Sequence, residues 1–252
     1  MAAPARVRDA ATVALLRDTE AGPEVYLLRR VVGMAFAGGM HVFPGGSVDP
    51  ADAAGDLTWA GPAPGFWAQA FGCDEPLARV LVCAAVRETF EETGVLLAGP
   101  RDGGALLADV SSDAWEAERT ALEACEQSLP QLLDRRSLVL RTDLLRPLAH
   151  WITPEIEARR FDTRFFLARM PVEQVCRDVG GEADERRWLR PADALTSGAR
   201  LMPPTVAVLR ELAAYPDVDS ALAAQRSIRA ILPQARVGAN GSVELVLPGD
   251  GG

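Results

Sequence analysis

Three glutamates carry the strongest chemical signal in the chain: Glu88, Glu91 and Glu92, within the run Arg87-Glu88-Thr89-Phe90-Glu91-Glu92-Thr93-Gly94-Val95. On a helix, offsets of i, i+3 and i+4 bring all three carboxylates to one face. Leu77, Leu81 and Ala84 precede them on the same stripe, so that face starts out directed at a core. Like charges closing an apolar stripe repel one another unless something positive sits among them. A hard divalent cation meets that need, since magnesium takes a few carboxylates and completes its shell with water and substrate phosphate. Arg87 is spaced to reach Glu91 at i+4. Upstream lies Phe43-Pro44-Gly45-Gly46, where a double glycine after a strand lets backbone approach an ion or a phosphate closely. The bland competitor is a solvated acidic helix end. The apolar stripe, the Arg87 spacing and the Gly94 stop all count against it.

Composition narrows the chemistry further. The 252 residues are 48% hydrophobic and 24% charged, as in a soluble globular protein, and their number suits one enlarged domain. With 35 acidic and 26 basic residues the net charge is −9, which argues against a grip on a nucleic-acid backbone. Every basic residue is arginine, so mechanisms that need a lysine nucleophile, a Schiff base or a Walker lysine are excluded. Cys73, Cys83, Cys125 and Cys176 form no Cys-x-x-Cys pair, and His41 and His150 are the only histidines, which argues against structural zinc. Buried, reduced thiols are expected. No apolar run reaches spanning length, and the N-terminal stretch carries Arg6, Arg8 and Asp9 where a signal core would be apolar. A cytoplasmic protein without membrane or nucleic-acid partners is expected.

The elements that must position the glutamates can be placed coarsely. Residues 10–16 and 24–31 are β-prone, and the turn-like run between them suggests a hairpin. A short strand is expected at 41–43. Residues 53–75 show no sustained period and read as an inserted loop. Asp74, Glu75 and Pro76 open a helix that should run to Thr93 and stop at Gly94. A strand over 95–98, one long amphipathic helix over 113–133, and strands over 148–153 and 164–168 follow. Helices over 191–195, 204–215 and 218–226 and a strand over 243–247 complete the expectation. Strands and helices mix without a strict βαβ repeat, which favours α/β packing around a mixed sheet.

With those residues in view, the chain resembles the Nudix hydrolases, whose box runs G-x5-E-x7-R-E-U-x-E-E-x-G-U, U being aliphatic. Arg87, Glu88, Glu91, Glu92, Gly94 and Val95 match its second half, with Thr89 in place of one U. Gly46 and Asp52 resemble the first half, with Asp for Glu. An uninterrupted box separates its glycine and arginine by 14 positions; here the separation is 87 − 46 = 41, so 27 extra residues divide it. A divided box is a feature of the coenzyme A diphosphatase-like branch. The stretches 34–40, 42–46, 150–154, 160–166 and 203–205 are also similar to that branch.

The resemblance implies a Nudix-type α/β/α sandwich over residues 1–252, with insertions at about 53–75 and 100–137 and an extension from about 203. It implies Mg2+ or Mn2+ ligands at Glu88, Glu91, Glu92 and the Gly45 carbonyl. Arg87 and Glu88 would be catalytic, and Glu182 or Glu185 would be a later acid serving as base. The substrate would be a nucleoside diphosphate derivative, foremost coenzyme A or acyl-coenzyme A, hydrolysed to two monophosphates. Alternatives are NADH, ADP-ribose, a nucleotide sugar, or a non-catalytic nucleotide-binding module. Arg30, Phe43, Gly46, Arg160 and Arg164 are the expected substrate contacts, with Arg29 and Arg159 also available to phosphates. Trp151, Phe161 and Phe165 serve either adenine stacking or the core. The insertions would build a substrate lid or a homodimer contact.

Overall fold

A computed structural model describes residues 5–247 apart from residues 35, 56, 103 and 238–242. Ala35, in the stretch 34–40, and both ends of the expected 1–252 domain therefore lie outside the described residues. The chain opens with a hairpin of β1 (Val7–Thr19) and β2 (Gly22–Arg30). Its turn is closed by Gly22 at φ +110, whose carbonyl accepts from Thr19 Oγ1 at 2.8 Å. β3 (His41–Val42) pairs with β2, and β4 (Gly45–Ser47) pairs with β1, bringing the double glycine beside the sheet. After β5 (Trp59–Ala60) come α1 (Pro64–Phe71) and the long α2 (Glu75–Thr93).

The bounds of α2 follow from local signals. Asp74 accepts from the Leu77 N–H at 2.9 Å, Pro76 sits in the first turn, and Gly94 adopts φ +71 with its N–H on the Phe90 carbonyl. The remaining elements are β6 (Ala98–Pro100), α3 (Asp113–Glu123), α4 (Leu129–Arg135), β7 (Leu138–Arg141), β8 (Leu145–Ile152), β9 (Arg160–Arg169) and β10 (Ala183–Leu189). α5 (Pro191–Thr196), α6 (Pro203–Leu212), α7 (Val218–Ala223), β11 (Ala230–Ile231), β12 (Gln234–Val237) and β13 (Val243–Val246) end the described chain.

The main sheet is mixed, in the order β10-β2-β1-β9-β8-β11, with β1 parallel to β9 and antiparallel to β2. Side-chain alternation builds a core on each face. Ala11, Val13 and Leu15 of β1 join Phe166 and Ala168 of β9 under α1 and α2, packed on Leu81, Val82 and Ala85. Ala14 and Leu16 join Phe165 and Leu167 on the opposite face, under Leu209, Leu212 and Val218 of the C-terminal helices. The result is helix, sheet, helix: an α/β/α sandwich. Among the described residues no helix is long and apolar enough to cross a membrane.

Four expectations need correction. Residues 53–75 hold α1, where Trp67 and Phe71 at i and i+4 are 0% and 3% exposed. These two rings pack on Phe166 of the sheet. Residues 95–97 are not a strand, because the Gln174 side-chain amide substitutes for one. It accepts from the Leu96 N–H at 2.9 Å and donates to the Leu96 carbonyl at 3.0 Å. The long helix over 113–133 is two helices, interrupted where Cys125 takes φ +56 and where Ser128 starts a capping box with Gln131. Finally, only Cys83 is buried; Cys125 is exposed and Cys73 and Cys176 are half-buried.

Candidate active site

Arg87 organises the site. It emerges from α2 one turn after the last fully apolar stripe residue and keeps only 10% of its side-chain exposure. Its Nε and Nη2 donate to the two Asp52 carboxylate oxygens at 2.8 and 3.0 Å, a bidentate fork. Nη1 reaches Glu88 at 2.8 Å and Glu91 at 3.1 Å, and Nη2 also donates to the Ser47 carbonyl at 2.9 Å. Asp52 can serve because the 3-10 turn Pro50–Ala53 presents it: the Asp49 N–H donates to Asp52 at 2.8 Å, half of a capping box. One buried ion pair thus joins the turn after the double glycine to the glutamate-bearing end of α2. The 3-10 turn brings the short aspartate side chain within reach of Arg87.

The double glycine meets the glutamates directly. The Gly45 N–H donates to Glu92 Oε2 at 2.8 Å. A Cβ on Gly46 would lie 2.5 Å from Glu88 Oε1, so only glycine leaves room for that carboxylate. At Gly45, φ is +156 and a Cβ would lie 2.4 Å from the Ala11 carbonyl.

Burial sets the electrostatics. It pushes the Glu91 carboxyl up to about 7 despite the opposing charge of Arg87. Burial also raises Glu92, reinforced by the neighbouring charge of Glu88 and opposed by the Gly45 N–H and Arg30. Glu88 is raised by burial too, with Arg87 pulling the other way. Glu91 Oε1 is buried without a hydrogen-bond partner among the described residues. Such a group is costly unless a cation satisfies it. Hard oxygen donors with an orphaned carboxylate oxygen fit a divalent ion of the magnesium type. Among the described residues no three acidic, histidine or cysteine side chains already converge on one ion-sized point. The hydrogen bonds explain this: Glu88 and Glu91 lean on Arg87, and Glu92 leans on Gly45.

These groups line a cleft of about 850 Å³. Arg30, Phe43, Gly45, Gly46, Arg87 and Glu182 all border it, as do Glu88, Glu91 and Glu92. Glu182 pairs with Arg30 at 2.7 Å while 63% of its side chain remains exposed. Glu185 does not line the cleft; it pairs with Arg29 at 3.0 Å and with Arg187. Trp151, Phe161 and Phe165 do line it, and so does Arg159.

Arg160 and Arg164 are the misplaced expectations. Neither lines the cleft. Arg160 is 7% exposed and donates to the carbonyls of Thr153 and Ala5 at 3.1 and 3.3 Å. Arg164 is 5% exposed and pairs with Asp9 and Asp162 at 2.8 and 2.9 Å, beside a His150–Asp162 contact. Both guanidinium groups are buried away from the cleft, each with protein acceptors of its own, so neither faces a ligand there. None of the described residues in 53–75 borders the cleft either; the segment between α3 and α4 does, through Cys125, Gln127 and Ser128. Sequence reasoning missed Met34, Met40 and Met202, which give the cleft an apolar wall. Met34 and Met40 bound the stretch 34–40 that resembles the branch, and Met202 is the N-cap of α6, but nothing in their types marked them as cleft-lining.

The family model for the NUDT19 Nudix domain matches residues 63–209, starting downstream of Gly46 and Asp52. Acyl-coenzyme A diphosphatase NUDT19 of Xenopus laevis is 25% identical over 204 residues, 68% of this chain and 54% of its own. The Homo sapiens protein of that name is 28% identical over 277 residues, 91% of this chain and 72% of its own. The chain therefore spans about half the length of the Xenopus relative and about three-quarters of the human one. The crystal structure of a NUDIX hydrolase from Alicyclobacillus acidocaldarius is 31% identical, with a TM-score of 0.71 over 88% of this chain and 98% of that one. A family match across the greater part of the chain, joined to that superposition, means that the chain belongs to the Nudix hydrolases, within the NUDT19 Nudix-domain family.

Proposed function

We propose that the protein hydrolyses the diphosphate linkage of coenzyme A or an acyl-coenzyme A, with Mg2+ or Mn2+ held by Glu88, Glu91, Glu92 and the Gly45 carbonyl. The observation that carries this is the buried carboxylate cluster, with its unpartnered Glu91 oxygen, opening on a large cleft. The names of the relatives, acyl-coenzyme A diphosphatases, support the substrate class. When bound there, a divalent ion would supply charge to offset the diphosphate and would lower the pKa of a water.

The chain's own residues do the rest. Arg87 keeps Glu88 and Glu91 in register and is itself fixed by Asp52. The Gly45 N–H orients Glu92, and Gly46 leaves space for Glu88 against the strand. Glu88 and Glu182 are the candidate proton acceptors, both on the cleft wall. Arg30 and Arg159 supply guanidinium groups to the non-reacting phosphates. Phe43 floors the cleft, and Trp151, Phe161 and Phe165 offer faces to adenine. Met34, Met40 and Met202 suit a pantetheine or acyl chain, because their flexible thioethers adapt to an irregular apolar ligand. The same reading takes residues 1–252 as one Nudix domain, with decorations at 53–75 and 100–137 and an extension from 203.

A product assay tests it. Coenzyme A, acyl-coenzyme A, NADH, ADP-ribose and a nucleotide sugar are each incubated with Mg2+ and analysed by mass spectrometry. Release of phosphopantetheine or its acyl form is expected. Turnover only of the other compounds overturns the substrate, and turnover of none overturns catalysis.

A further inference from the structure

The last turn of α2 has the wrong charge for its place. A helix C-terminus carries about half a negative charge and leaves its final carbonyls without intrahelical partners. α2 puts Glu91 and Glu92 there and has no basic residue of its own in that turn. Two arginines from other segments make up the difference. Arg119 of α3 donates from Nη1 to the Glu91 carbonyl at 2.9 Å. Arg177 donates its backbone N–H to the Thr93 carbonyl at 2.9 Å and lays its guanidinium over Gly94.

Arg119 is the more firmly held. It is 3% exposed, and Glu116 and Glu123 grip it from its own helix at 2.7 and 2.9 Å. Arginine with acids at i−3 and i+4 ordinarily marks a solvated helix face; here the guanidinium is turned inward. All its nitrogens are used, since Nε also donates to Glu116 at 2.8 Å and Nη2 points to the Val179 carbonyl at 3.5 Å. The last contact joins α3 to the segment that leads into Glu182. Glu123 abuts the same segment, its Oε1 lying 3.1 Å from where a Gly181 Cβ would be.

We infer that Arg119 is a positioning residue: from α3 it caps the carboxylate-bearing turn of α2 and so sets where Glu91 and Glu92 present their oxygens. Its consequence for metal binding rests on the proposed function; the capping does not. Lysine cannot reproduce it, because a point ammonium lacks the fork that meets Glu116, Glu123 and the carbonyl together.

The test uses R119M and R119K in the full chain. Amide exchange over residues 91–95 is followed without metal, and Mn2+ affinity is measured by electron paramagnetic resonance without substrate. Loss of a charge-assisted hydrogen bond predicts about 10- to 100-fold faster exchange in R119M at that turn. Mn2+ affinity should fall about tenfold. R119K should lie between R119M and wild type in both. A role confined to the packing of α3 would lower the melting temperature yet leave both readouts at wild-type values, and that outcome overturns the inference. If R119M does not fold, E116Q/E123Q loosens the guanidinium while keeping its reach to Glu91, and unchanged exchange there is equally fatal. Wild-type protein that binds no Mn2+ would instead sink the metal reading, leaving exchange to decide the capping.

Discussion

Replacing Gly46 by alanine adds one methyl group at the point where β4 meets Glu88. Gly46 pairs with Ala11 across the β1–β4 ladder and does not use positive φ, so the backbone accepts alanine. The new Cβ would stand 2.5 Å from Glu88 Oε1, whereas ordinary contact begins at 3.4 Å, so the carboxylate must retreat by about 0.9 Å. That carboxylate ends a flexible side chain, so the strand stays and Glu88 moves. The move stretches its 2.8 Å bond to Arg87 and would draw it away from the proposed metal. Misplacing a catalytic group by an ångström costs on the order of 10²-fold in rate, or about 2.7 kcal/mol of barrier. Folding loses one charged hydrogen bond, about 1.5–3 kcal/mol at most. Hydrolysis followed by mass spectrometry, alongside thermal melting, should show kcat down about 100-fold with a melting temperature within about 10 °C of wild type. Gly45→Ala is the contrast: its Cβ would strike the Ala11 carbonyl at 2.4 Å, which is backbone, and the fold should fail first. Wild-type turnover by G46A would refute the placement of Glu88 in the chemistry.

Further outcomes follow from the same geometry. Arg87→Ala strands Asp52, whose side chain is 1% exposed, and should cost about 3–5 kcal/mol in denaturant unfolding; under about 1 kcal/mol contradicts the hub role. Glu91 and Glu92 have folded pKa values above the ordinary carboxylate value, so their stabilisation is complete below about pH 4.5 and is lost as pH climbs through about 7 and higher. The metal-free melting temperature should thus decline between about pH 5 and about pH 8, and E91Q or E92Q should flatten the decline; an equally steep slope in both variants tells against the buried cluster. Arg159 is exposed on the cleft, and Arg159→Ala should lower kcat/KM for coenzyme A about tenfold but spare dephospho-coenzyme A, with equal losses on both refuting a phosphate contact. A chelator should abolish hydrolysis and added Mg2+ restore it, whereas chelator-resistant turnover removes the metal from the reaction.

How much of this was legible in the sequence depends on the range of the interaction. The bounds of α2 were readable from Asp74, Pro76 and Gly94, because caps act within one turn of the residue that makes them. The single face shared by Glu88, Glu91 and Glu92 was equally readable from helical spacing. α1 was missed because Ala, Gly and Pro around Trp67 and Phe71 hid a two-residue apolar stripe. The segment 95–97 was misread because a glutamine 78 positions away takes the place of a strand partner.

The sequence by itself determined that an acidic, lysine-free chain carries a one-sided carboxylate cluster after a double glycine. Tertiary structure alone decided which arginines stay available to a ligand. Arg160 and Arg164 look as suited to phosphate as Arg30 and Arg159, yet only the latter two border the cleft, while Arg160 and Arg164 are buried away from it, Arg164 on Asp9 from 155 positions away. Asp52 finds Arg87 across 35 positions, with α1 lying between them in the chain. Helical periodicity and capping are set within about four residues, while the pairing of a buried charge is set by whatever the folded chain brings within 3 Å of it.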